Sequence, residues 1–365
     1  MTDQPYPGPG PVQPPGGPAP APVPAYGSAY VPGYAPAPRR DMTFPHPEPT
    51  PYHRMLRTWT YAPWKPVVGI LIVVVGFFVV TAMVYIVIAG IFAAFESGSW
   101  IDNFMASADL SHVGPEVLLG LNLGLASMIL VTWFVMRVVH NLRPRWLTSV
   151  VPRMRWRFFA ICLGLAAVAL AAQVLVGSVL PGDSSGVGGK LNDFTTSTAI
   201  AAVVVLLTTP LQAAGEEYLF RGYLLQAVGS LFGNKWVAIG TTGLLFALAH
   251  GAQNFPLFFD RLAFGLIAAW LVTRTGGLEA GIALHVLNNF LAFGLALSYG
   301  NLSETLNVSE ASWWNIVLTV TQSVVYAALV LYVARRMGLQ TRTRPPATEP
   351  GPASSGPVDG SLATA

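Results

Sequence analysis

Gly215-Glu216-Glu217-Tyr218-Leu219-Phe220-Arg221-Gly222-Tyr223-Leu224-Leu225 is the stretch whose reading decides the fold. It closes an apolar run that begins near Ala199, yet it holds two adjacent carboxylates and an arginine. An ionisable group at bilayer depth costs ~2.5–3.5 kcal/mol on insertion scales, so such groups are rare and usually mark function. On a helix Glu217 and Arg221 are four apart, share a face and stand in the favoured acid-before-base order. Glu216 is turned about 100° from Glu217. The pair Glu217–Arg221 is therefore expected to neutralise itself and leave Glu216 pointing elsewhere. A desolvated carboxylate without a counter-charge suits a general base.

The rest of the chain supplies the membrane. Of 365 residues 53% are apolar and only 10% are charged, against about 25% charged in a soluble domain. The expected class is all-α: a polytopic integral membrane helix bundle with disordered termini. Residues 1–63 are rich in Pro, Gly, Ala and Tyr without an apolar period, which implies a disordered cytoplasmic arm whose Tyr-Pro repeats could engage an unknown partner. No early apolar segment of signal-peptide type occurs. Residues 64–338 form the expected transmembrane domain, and 339–365 a polar, disordered tail. The single Cys162 lies in an apolar run, so no intrachain disulfide can form.

About eight spans are expected, over 67–95, 116–139, 158–180, 198–226, 236–250, 258–273, 281–299 and 313–334, each near the ~20 residues a bilayer requires except the short fifth and sixth. Lys and Arg fall in alternate connections. Arg54, Arg57 and Lys65 precede the first span, five arginines from Arg143 to Arg157 separate the second and third, Lys235 and Arg274 follow the fourth and sixth, and Arg335, Arg336, Arg342 and Arg344 follow the last. The other connections carry Glu96, Asp102, Asp193, Glu304 and Glu310, with Lys190 as the exception. This alternation implies a multi-pass protein of the cell membrane with both termini cytoplasmic. Membrane lipid is the partner this layout implies, and nothing points to nucleic acid; a peptide or protein substrate is expected only from the family resemblance of the polar motifs. Asp260 and Arg261 read as interfacial groups or a local ion pair.

Two further polar clusters lie inside apolar helices. Phe246 and His250 are four apart, as are His285 and Asn289. Groups on three separate apolar helices are expensive unless they meet. Glu216 and His250 could hold and deprotonate a water, while His285 and Asn289 are donors suited to an oxyanion. A metal is the second possibility: Glu216, His250 and His285 are a plausible zinc set, although the spacing lacks the His-Glu-x-x-His signature. The depth arithmetic is awkward. Glu216 falls near the cytoplasmic side of its span and His250 near the far end of the next, so a re-entrant turn over 229–234 is expected to bring them level.

Glu216-Glu217-x-x-x-Arg221, Phe246-x-x-x-His250 and His285-x-x-x-Asn289 together resemble, in order and helical placement, the three motifs of the CAAX-protease and bacteriocin-processing (CPBP, Abi) family of intramembrane proteases. The similarity spans roughly residues 155–335. The resemblance implies an intramembrane endopeptidase of the CAAX prenyl protease type, glutamate-dependent and often labelled a metalloprotease. Glu216 and His250 would activate water, His285 and Asn289 would form the oxyanion hole, and Glu217 and Arg221 would support them. Prenylated substrates are not implied for bacterial members. Competing readings are a scaffold or bacteriocin-immunity protein that keeps the motifs without cleaving, and a proton-coupled transporter.

Overall fold

The computed structural model describes residues 45–107, 113–181 and 190–344. Helices account for its regular structure, with two isolated bridges, Pro51 to Arg342 and Ser149 to Gly277. Seven helical segments among the described residues are long and apolar enough to cross a membrane. They are α1 (Trp64–Phe95), the α3–α4 pair (Pro115–Ala126, Met128–Val138), α5 (Trp156–Gly177), the segment Thr196–Phe232, α9 (Phe255–Thr275), α10 (Glu279–Tyr299) and α12 (Trp314–Arg336). Two short helices, α2 (Trp100–Ser107) and α11 (Leu302–Leu306), lie in connections.

The expected fifth span is the exception. Helix α8 runs only Lys235–Leu248, 14 residues, about 21 Å against a ~30 Å hydrocarbon core. The preceding segment, by contrast, is 37 residues long. Its parts are α6 (Thr196–Glu217), a π-helical stretch Tyr218–Leu224 and α7 (Leu225–Phe232). It stays helical through 229–232, so the bend is not spread over 229–234. It ends in Gly233, whose φ of 73° is the left-handed cap that favours glycine. The Asn234 side chain then accepts from the Trp236 N–H and starts α8. The two legs form a tight hairpin.

The termini are also more ordered than composition implies. From Pro45 on, the amino-terminal arm is packed: Tyr52, Met55 and Leu56 are fully buried, and Tyr52 donates to the Leu147 carbonyl. Past α12, Thr343 N–H donates to Thr50 O at 3.0 Å and its Oγ1 accepts from Thr50 N–H at 3.0 Å. These segments join the 142–155 connection and the Gly276–Leu278 turn in a cap over the lysine- and arginine-rich end. The Arg155–Glu279 ion pair, 2.6 Å and nearly buried, pins the starts of α5 and α10 together there. Residues 1–44 and 345–365, where most of the expected disorder falls, lie outside the described residues.

Candidate active site

Glu216 and Glu217 sit at the end of α6, immediately before the π-helical stretch. Pro210, six residues earlier, has no N–H for the helix ladder. Single π-helical turns occur often at functional sites. Glu217 and Arg221 are both fully buried and joined at 2.8 Å. The guanidinium also lies over aromatic rings, 4.0 Å from the Phe246 centroid and 5.3 Å from that of Phe264. The same Glu217 Oε1 stands 3.0 Å from His285 Nδ1. Glu217 thus ties α10 to α6. It can do so because Gly281, one turn before His285, has no side chain; a Cβ there would lie 2.6 Å from Glu217 Oε2.

Glu216 faces the other way, onto a cavity of about 210 Å³ that is also lined by His250, His285 and Asn289. Its Oε2 is 3.7 Å from His285 Nε2. Its Oε1 accepts from Gln212 Nε2 at 2.7 Å, and Gln212 Oε1 in turn accepts from Asn289 Nδ2 at 2.9 Å. His250 Nδ1 is 2.8 Å from the Phe246 carbonyl, and its ring lies 4.7 Å from the Phe246 ring. That contact leaves Nε2 as the nitrogen available to the cavity. Phe246 is therefore a hub: its ring touches Arg221, His250 and, at 5.9 Å, His285.

The six residues singled out in the sequence converge, with Glu216, His250, His285 and Asn289 on the cavity and Glu217 and Arg221 behind it. Their shared depth comes from the hairpin. Glu216 and Phe232 are sixteen residues apart, and Lys235 and His250 fifteen, so both legs rise about 23 Å from the turn at ~1.5 Å per residue. Gln212 was legible, one helical turn before Glu216, but was not singled out. Asp260 and Arg261 form the local ion pair that is one of their two expected states. They line the same cavity, paired at 3.5 Å, with Asp260 accepting from Thr319 Oγ1 at 2.5 Å. Gln322 of α12 reaches Asn288 at 3.1 Å across the cavity wall. The cavity extends to Thr305, Leu306 and Val308, at the end of the bundle opposite the basic cap.

Among the described residues no three of His, Cys, Asp and Glu come together as a ligand set. His285 directs Nδ1 to Glu217 and His250 directs Nδ1 to a carbonyl. With Nδ1 so engaged, both rings leave Nε2 to the cavity beside Glu216, the orientation in which an imidazole holds either a water or a cation. What the arrangement offers is a carboxylate held by an amide, two imidazoles with fixed orientation and an amide donor around a polar-lined cavity, the parts needed for water attack on a carbonyl.

Comparison with known proteins falls on the same part of the chain. Residues 197–291 match the family described as type II CAAX prenyl endopeptidase Rce1-like. The chain is also similar to the uncharacterized protein YyaK of Bacillus subtilis (strain 168), 26% identical over 216 residues that cover 56% of this chain and 71% of that protein. No solved structure matches. The chain is an integral membrane protein, helical in its regular structure among the described residues, and over residues 197–291, the segment that brings Glu216, His250, His285 and Asn289 together, it is similar to the Rce1-like type II CAAX prenyl endopeptidases.

Proposed function

We propose that this chain is an intramembrane endopeptidase that hydrolyses peptide bonds with water activated by Glu216. The observation that carries the reading is the position of the Glu216 carboxylate, on the cavity wall between two imidazoles rather than in the Glu217–Arg221 pair. Gln212 holds one carboxylate oxygen, leaving the other to take a proton from water. His250, whose rotamer is fixed by Phe246, aligns that water at Nε2, takes on the proton that Glu216 removed and passes it to the leaving amine. Asn289 Nδ2 spends one of its two N–H donors on Gln212. The second is free to stabilise a developing oxyanion together with the His285 ring. Glu217 and Arg221 position His285 and do not touch the reacting atoms. The basic end is the cytoplasmic end on the positive-inside argument, so the chain is placed in the cell membrane with both termini inside.

The test compares wild type with Glu216→Gln and His250→Ala, all reconstituted in vesicles, on a library of membrane peptides. Wild type is expected to cleave members that both variants leave intact, with thermal midpoints unchanged in the variants. If every peptide cut by wild type is cut equally by Glu216→Gln, the reading fails. The same assay in strong chelator addresses the metal: undiminished cleavage supports direct activation of water by Glu216.

A further inference from the structure

A second concavity lies at the opposite end of the bundle from the catalytic cavity. It measures about 480 Å³ and is lined by four cations, Lys235, Arg274, Arg335 and Arg342. These come from four separate places: the start of α8, the end of α9, the end of α12 and the segment after it. No carboxylate lines the pocket, and none of the four takes part in an ion pair among the described residues. The Arg342 guanidinium donates to the Pro49 carbonyl at 3.3 Å, and the Lys235 ammonium lies 4.9 Å from the Trp236 ring centroid.

A cytoplasmic-side excess of Lys and Arg would scatter cations over this end. It does not require four of them to converge on one hollow from different segments. Like charges gathered in a concave, low-dielectric wall focus a positive potential, and their repulsion disfavours the assembly unless an anion offsets it. His53, which also lines the pocket, is held down to about 4, by burial first, then by Arg54, with Lys235 and Arg342 adding to the effect.

The pocket's position narrows the anion. It sits where α9 and α12 leave the apolar layer, and Leu331 and Leu339 give one wall an apolar surface beside the cations. A phosphodiester with an attached hydrocarbon fits both the charge and the wall; a fully hydrated ion would leave the leucines unused. We propose that this pocket binds the phosphate headgroup of an acidic phospholipid. The bound lipid would clamp the cap-side ends of α8, α9 and α12, whose other ends wall the catalytic cavity.

The test uses the full chain in detergent with added lipid, read by native mass spectrometry and by thermal midpoint. Phosphatidylglycerol is expected to stay bound and raise the midpoint, while phosphatidylcholine does neither. Each cation near the surface contributes about a fivefold factor. Arg274→Gln with Arg335→Gln should therefore weaken phosphatidylglycerol binding by about 25-fold. Arg143→Gln with Arg145→Gln, which removes the same charge at this end outside the pocket, should leave binding unchanged. Lys235→Gln alone, expected to show a fivefold loss, serves if the double variant does not fold. Equal losses in the pocket and control doubles would overturn the proposal in favour of diffuse attraction. So would inorganic phosphate reproducing the whole midpoint rise, which would identify a free anion as the ligand.

Discussion

Glu217 and Glu216 are chemically identical neighbours with opposite surroundings. Glu217 is fully buried against Arg221 and His285; Glu216 opens onto the cavity. Breaking a buried ion pair by removing one partner costs about 3–5 kcal/mol. Glu217→Gln should accordingly lower the thermal midpoint in detergent by several degrees and reduce folded yield, whereas Glu216→Gln should not. Gly281→Ala should act like Glu217→Gln at reduced size, because its new methyl must displace the carboxylate; an unchanged midpoint would show that Glu217 can relax. A pH effect belongs at this scale too. His140, in the basic cap, contacts Tyr223 Oη at 3.0 Å and is held down to about 4, by burial first and Lys65 second. The unfolded imidazole takes its proton near 6.5. The contribution of His140 is thus fully present above about pH 6.5 and is lost as pH falls toward 4, at most about 3 kcal/mol. Stability measured from pH 7 to pH 4 should fall less steeply in His140→Gln than in wild type.

At the scale of the element, the hairpin of the long helix and α8 sets the geometry. Its turn depends on Gly233 at φ 73°, a conformation that costs a side-chain-bearing residue about 1–2 kcal/mol. Gly233→Val should lower the thermal midpoint and, by displacing α8 against the long helix, reduce cleavage more than stability alone accounts for. Gly233→Asn, which tolerates the left-handed region, should retain most of both. Similar losses in the two variants would point to packing at the turn rather than backbone strain. The shortness of α8 has a use: it ends inside the bundle, so His250 meets Glu216 instead of continuing to the far interface.

For the whole molecule, the two ends differ in charge and in access. The cavity beside Glu216 reaches Thr305 and Val308, away from the basic cap. On the proposed orientation, with the basic end cytoplasmic, a substrate would enter from the opposite side. The one native cysteine, Cys162, is buried, so introduced thiols report cleanly. In intact cells a membrane-impermeant maleimide should label Thr305→Cys, and it should label Arg342→Cys only after the cells are opened. The reverse pattern would invert the orientation.

The identities of the site residues were readable in the linear chain, because charge inside an apolar helix has few innocent explanations and four-residue spacing fixes a shared face. Glu216, Glu217, Arg221, His250, His285 and Asn289 all followed from that local geometry. Spacing along one helix says nothing of what faces it on another. So the sequence left open that Gln212 would bridge Glu216 to Asn289, that Asp260 and Arg261 would join the cavity, and that Phe246 would carry three polar groups at once. It also counted α8, short as its apolar run is, among the spans, since apolar composition marks burial without marking whether lipid or protein provides it. The chain determined which groups resist the bilayer; only the packing of α6, α8 and α10 decided which of them share a space, because contact between helices depends on depth and rotation that no single helix contains.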